Sequence, residues 1–345
     1  MWTMETTRDW SVRSLTVPSV LLLAQALIAC GPPPEPVLPP VATAGAASVS
    51  AEPAAAKRSA LPSCGAEWCV VAGVPKPVTF AAVWGSSPTD VWLAGEAGTL
   101  LHWNGSTWSE TASGTGSALR ALGGTSAKDV WAAGLDGTLL HFDGSSWSAK
   151  QKSGALWSPA SGPNERPIYA LLALPNQLWV GGSGSRSFDG KTWTEPHHGS
   201  HLPTMALWGL DSSALWEVGL QGMVNRWDGH HWQRVGGELG PNFFAVWGNT
   251  ARDVWIVGSA GAIVHWGDTP TTVPSGTTND LHAVRGFGEK DVWAVGDQGT
   301  ILHWQGSAWA PSTSPSPSAL LGVWGASASD VWIVGENGVV LHRQT

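Results

Sequence analysis

Asp291-Val-Trp-Ala-Val-Gly-Asp-Gln-Gly-Thr-Ile-Leu-His-Trp-Gln-Gly-Ser-Ala-Trp309 is the stretch that decides how this chain folds. Two short alternating runs, Val292–Val295 and Thr300–Trp304, are separated by the turn sequence Gly-Asp-Gln-Gly, and a third run begins at Trp309 after Gln-Gly-Ser. Val, Ile and Trp alternating with small or polar residues, with Gly at each break, predict antiparallel strands joined by tight turns. Leu281-His-Ala-Val-Arg-Gly286 supplies a fourth strand upstream. The unit is a four-stranded meander of about forty residues.

It occurs seven times. Its second-strand tryptophan marks the copies: Trp92, Trp131, Trp179, Trp216, Trp255, Trp293 and Trp332, which are 39, 48, 37, 39, 38 and 39 residues apart. One such sheet cannot bury enough surface to stand alone. A period near forty with four strands per repeat predicts an all-β, seven-bladed β-propeller. The seventh copy ends at Leu341-His-Arg-Gln-Thr345 without an outer strand, and Gly65-Ala-Glu-Trp68-Cys69 matches the outer-strand pattern Gly105-Ser-Thr-Trp108-Ser109. The N-terminal segment is therefore expected to complete the last blade and cover its open edge.

Outward from the ring, which spans 64–345, the chain reads as signal and tether. Residues 1–29 have Arg8 and Arg13 ahead of a largely apolar run, Val17–Ala29, too short for a membrane span. Gly31–Ser63 holds eight Pro, nine Ala and no aromatic residue, the composition of an extended spacer with no core. The formal charge of −8, without a basic stripe, points away from nucleic acid. Cys64 and Cys69, five positions apart in a chain read as exported, are either a disulfide or two free thiols.

Three resemblances add to this. Leu27-Ile28-Ala29-Cys30 resembles the lipobox of bacterial lipoproteins, which implies cleavage before Cys30, its acylation, and anchoring at the outer membrane or cell surface. The spacing of Trp92, Leu100, Trp103, Gly105 and Trp108 resembles the tectonin repeats of carbohydrate-binding propellers. Val295-Gly-Asp-Gln-Gly-Thr-Ile-Leu-His303 is similar to BNR/Asp-box propellers, including sialidases and the photosystem assembly factor type, although Asn104-Gly105-Ser-Thr-Trp108 is one residue shorter than that box. These resemblances imply the propeller fold; function must come from a site.

The candidate constellations are few. Most of the 24 tryptophans recur at fixed repeat positions, as packing between blades demands; Trp157 does not. Asp90/His102, Asp129/His141, Asp253/His265, Asp291/His303 and Asp330/His342 stand twelve apart, and the other two copies lack both members (Gln177/Ser187, Ala214/Arg226). Joint presence and absence predicts a bracing contact, as in WD-type propellers. A sialidase needs three convergent arginines and a tyrosine, and the inner-strand Arg120, Arg285 and Tyr169 do not assemble that set. No nucleophile elbow, P-loop or zinc-protease motif occurs, and no cofactor is implied.

Two loops before copies three and four break the pattern. One carries Trp157, Asn164, Glu165 and Arg166, suited to stacking on a sugar and directing its hydroxyls; the other has Glu195, His197, His198 and His201, residue types that suit a divalent metal. His230 and His231 belong to a turn on the opposite face. The expected function is a non-catalytic, lipid-anchored binding propeller for a glycan or protein ligand, with an Asp-box glycoside hydrolase as the alternative.

Overall fold

The computed structural model describes residues 67–151, 167–195, 202–236 and 240–344. They form seven four-stranded antiparallel sheets, six of them meanders in chain order and the seventh completed by the N-terminal strand. Blade 6 is representative: Leu281–Gly288 innermost, then Asp291–Gly296, Ile301–Trp304 and Trp309–Ser312. The first strands of successive blades pack on one another in a closed cycle, Leu320–Ser327 of blade 7 against Phe80–Ser87 of blade 1. They therefore surround the axis.

Blade 7 closes the ring as its missing outer strand predicts. Cys69–Val70 pairs antiparallel with Val340–Gln344, Cys69 opposite His342. Trp68 is 2% exposed and meets Trp293 of blade 6 edge-on at 5.1 Å and 85°. That is the arrangement of Trp108 on Trp332, Trp147 on Trp92, and Trp309 on Trp255, at 5.2–5.7 Å and 84–88°. Each second-strand indole thus fills the seam to the next blade, and such pairs add about 0.5–1.5 kcal/mol beyond their buried area. No described tryptophan is exposed. Where other blades end their third strand with an aromatic, blade 7 has Arg343, whose guanidinium lies 5.1 Å from the Trp293 ring centroid. Cys69 is disulfide-bonded, its partner lying outside the described residues.

A second repeating contact lies nearer the axis. Trp324, Trp84, Trp208 and Trp247, all on first strands, press on Gly85, Gly124, Gly248 and Gly286 of the following blade. A Cβ on Gly286 would come within 2.4 Å of the Trp247 ring, so only glycine admits this approach. In six blades the turn between second and third strands carries a non-glycine residue in the left-handed region (Ala97, Asp136, Gln221, Ala260, Gln298, Asn337; φ 51 to 58°) followed by glycine. Blade 3 lacks it, joining Gln177–Gly182 to Gly184–Phe188 through Ser183 alone.

Candidate functional site

The five Asp–His pairs all form. The ring Nε2 donates to the carboxylate Oδ1 at 2.6 Å (His102, Asp90), 2.8 Å (His141, Asp129), 2.6 Å (His265, Asp253), 2.7 Å (His303, Asp291) and 2.9 Å (His342, Asp330). Each imidazole also packs on its blade's tryptophan, closest at 3.8 Å and 8° for His303 on Trp293. Burial pushes the Asp90 and Asp129 carboxyls up. Their hydrogen bonds, from His102 and Ser86 and from Thr125 and His141, outweigh it and hold both below the ordinary value. Five copies spread round a ring are braces.

The Asp-box-like turns are also structural. Asn104 Oδ1 accepts the backbone N–H groups of Ser106 and Thr107, and Asp143, Asp189 and Asp228 do the same in their blades. These are Asx turns. His230 and His231 donate their backbone N–H groups to Asp228 in such a turn between third and fourth strands.

Of the loop residues singled out from the sequence, Trp157, Asn164, Glu165, Arg166, His197, His198 and His201 lie outside the described residues, as does Cys30. Glu195 is described, and its carboxylate is ion-paired with Arg186. Among the described residues, no group of three metal-ligating side chains occurs.

Sequence reasoning missed two features. The first is a ring of β-bulges. In six blades the ladder between first and second strands skips one residue near the start of the first strand: Ala81, Arg120, Met205, Phe244, His282 and Leu321. Tyr169 holds the same place in blade 3, its N–H donating to Gly181 O at 2.8 Å. A bulge re-aims its side chain. Both faces of a blade are covered by neighbours, so these side chains, exposed or half-exposed behind a buried residue, turn to the axis. Phe244 and His282, on adjacent blades, stack at 5.7 Å and 29°. His282 donates to Asp297 at 2.7 Å, in the turn between second and third strands, which places the ring at that end of the channel.

The mouth so formed is amphipathic. Tyr169, Met205, Phe244 and Leu321 are apolar or aromatic, and Arg120 is a cation. Outside them, the turns of four consecutive blades carry carboxylates: Glu336, Glu96, Asp136, and Asp297, already paired to His282. The signal was one residue wide, since the bulge shifts only a single position of register.

The second feature is a polar seam between blades 3 and 4. Glu217, fully buried, stands where the other blades have Leu93, Ala132, Val180, Ile256, Ala294 and Ile333. It accepts hydrogen bonds from Thr204, from Ser185 Oγ at 3.4 Å, and from Asn225 Nδ2 at 3.4 Å. Thr204, Ser185 and Asn225 are buried and occupy positions that are aliphatic or aromatic in nearly every other blade. A glutamate inside an apolar repeat position was the legible signal.

A closed seven-bladed ring with braced blades and an open, chemically mixed mouth is the architecture of a β-propeller scaffold. A scan against protein-family models and a search of curated proteins both find no match. Among solved structures, the chain is similar to YCF48 bound to D1 peptide, with 17% identity, a TM-score of 0.65 and coverage of 81% of this chain and 97% of that one. YCF48 from Cyanidioschyzon merolae gives 16%, 0.65, 81% and 99%. The WD40 repeats of RRP9 give 12%, 0.68, 83% and 99%. At these identities the likeness is one of fold.

Proposed function

We propose that this protein is a non-catalytic binding module that takes a protein segment at the channel mouth. The observation that carries it is the ring of bulged residues, which turns one side chain per blade toward the axis and makes an apolar arc of Tyr169, Met205 and Phe244 on the successive blades 3 to 5. An apolar side chain of the ligand would enter the arc. The carboxylates of Glu336, Glu96 and Asp136 favour basic residues flanking it. That YCF48, a propeller of this fold, was solved with a D1 peptide supports a peptide over a glycan. The aromatic content that suggested sugar stacking lies largely in the seams. In this reading Cys30 carries the lipid, and Gly31–Ser63 holds the ring away from the membrane. Detergent partitioning of Cys30→Ala against the parent tests the anchor.

The site is tested by presenting the full chain to a random-peptide display library and to a glycan array. We expect enrichment of peptides pairing an apolar with a basic residue, and at least tenfold weaker binding of such a peptide by Phe244→Asp. Binding to glycans alone, or unchanged peptide binding by Phe244→Asp, overturns the proposal.

A further inference from the structure

Opposite the second-strand tryptophan, four blades place a second tryptophan on the first strand: Trp84 opposite Trp92, Trp208 opposite Trp216, Trp247 opposite Trp255 and Trp324 opposite Trp332. Blade 6 has Arg285 there, opposite Trp293. In those four blades that first-strand indole presses on the glycine of the next blade. In blade 6 the contact is made instead by Phe287, two residues on, whose ring would lie 2.6 Å from a Cβ on Gly325. Phe287 therefore does the packing, and Arg285 is not needed for the seam.

Among the described residues Arg285 has no counter-charge. The side chain is half-buried, its Nε is buried without an acceptor, and among the described residues the guanidinium has no hydrogen bond or ion pair. Enclosure pushes its pKa below the usual arginine value, although a guanidinium keeps its proton in proteins. A half-buried cation with an unpaired, buried N–H is unfavourable. The indole Nε1 of Trp293 is buried without an acceptor as well, but so are those of Trp92, Trp179, Trp216 and Trp255, so that N–H does not distinguish blade 6. In the four tryptophan-bearing blades the residue facing that indole is uncharged; in blade 6 it is a cation.

We propose that Arg285 forms a site for a small oxyanion, a carboxylate or a phosphate, at the axial side of the seam between blades 6 and 7. The planar guanidinium fork matches two oxygens of either group. The site lies three residues along the strand from His282, about 10 Å deeper than the mouth. It does not depend on the mouth binding a peptide.

The test is a titration of the full chain with sodium acetate and, separately, potassium phosphate, each against chloride at matched ionic strength. Calorimetry and thermal unfolding give affinity and midpoint, and 1H–15N spectra follow the arginine Nε–H signals. Acetate or phosphate should raise the midpoint by several degrees and shift one arginine Nε–H signal. The stronger of the two names the source, carboxylate or phosphate. Arg285→Trp, the residue type of four other blades, should weaken binding at least tenfold without lowering the midpoint in chloride. If that variant folds poorly, Arg285→Gln replaces it and should show the same loss. No stabilisation beyond chloride, or equal response in the parent and the folded variant, overturns the site.

Discussion

Blades 1 and 4 are built from the same unit and differ in what they bury. Blade 1 places Phe80, Leu93 and Leu101 in its seam, with Asp90 and His102 braced at the blade edge. Blade 4 has Thr204, Glu217 and Asn225 at the matching seam positions, and Ala214 and Arg226 where the brace would be. The polar residues arrive as a set, joined by Ser185 from blade 3, because a single buried carboxylate without donors would not be tolerated. Repetition makes seams interchangeable; where it lapses, the replacements have to be complementary.

A reciprocal swap would break that comparison most sharply. Leu93→Glu puts a carboxylate among aliphatic neighbours with no donors, and we expect more than about 4 kcal/mol of destabilisation, or failure to fold. Glu217→Leu strands hydroxyl and amide groups that partly repair one another, for a loss of about 2 kcal/mol. Urea unfolding of both variants measures the difference. Equal losses would mean that the seam between blades 3 and 4 is not organised around Glu217.

The next contrast is between two outer-strand tryptophans. Trp68 comes from the far end of the chain, is buried, and closes the ring on Trp293. Trp193 begins a two-residue outer strand in blade 3 and is half-buried. Trp68→Ala should lose about 3–5 kcal/mol, as large buried aromatics do, and Trp193→Ala about 1–2 kcal/mol. Similar losses in the same unfolding assay would show that closure is no stronger than any other seam.

Much of this was legible in the chain. The recurrence of Trp92 through Trp332 specified seven blades because period and strand length together leave few other architectures. The incomplete last copy and the stray Trp68 motif together located the closing strand. The joint absence of Asp and His in blades 3 and 4 revealed the braces as contacts. The mouth was not legible, since Ala81, Arg120 and Phe244 look like any alternating strand residue until a one-residue bulge turns them. Arg285 was visible as an inner-strand arginine. Its meaning depended on Phe287 having taken over the packing role of the tryptophan it replaces, a relation between neighbouring blades. The loops with Trp157 and the His197–His201 cluster drew the sequence reading toward blades 3 and 4. Glu217, in the same region, is legible only as a charge at an apolar repeat position, because its partners Thr204, Ser185 and Asn225 are brought to it by the fold.

The smallest effects separate one brace from another. His342 and Asp330 are 3% and 11% exposed, whereas His265 and Asp253 are 35% and 19% exposed. Water competes for and screens the second pair, so a double-mutant cycle should give coupling of about 1–3 kcal/mol for Asp330–His342 and under about 1 kcal/mol for Asp253–His265. Acid should expose the same logic at Asp90 and Asp129, where burial raises and hydrogen bonds lower the carboxyl pKa, with a net fall. A folded pKa below the unfolded one means that the unfolded chain takes up protons first as pH drops. The contribution is therefore whole above the ordinary carboxylate value near 4 and disappears as pH falls through the lower folded value. An Asp90→Asn, Asp129→Asn double variant should be less stable than the parent by a constant amount above about pH 5, with a shallower decline below pH 4. Urea midpoints from pH 6 down to pH 2 read both. Parallel curves across that range would mean that these carboxyls titrate alike in the folded and unfolded chains, and that the braces act by shape and not by charge.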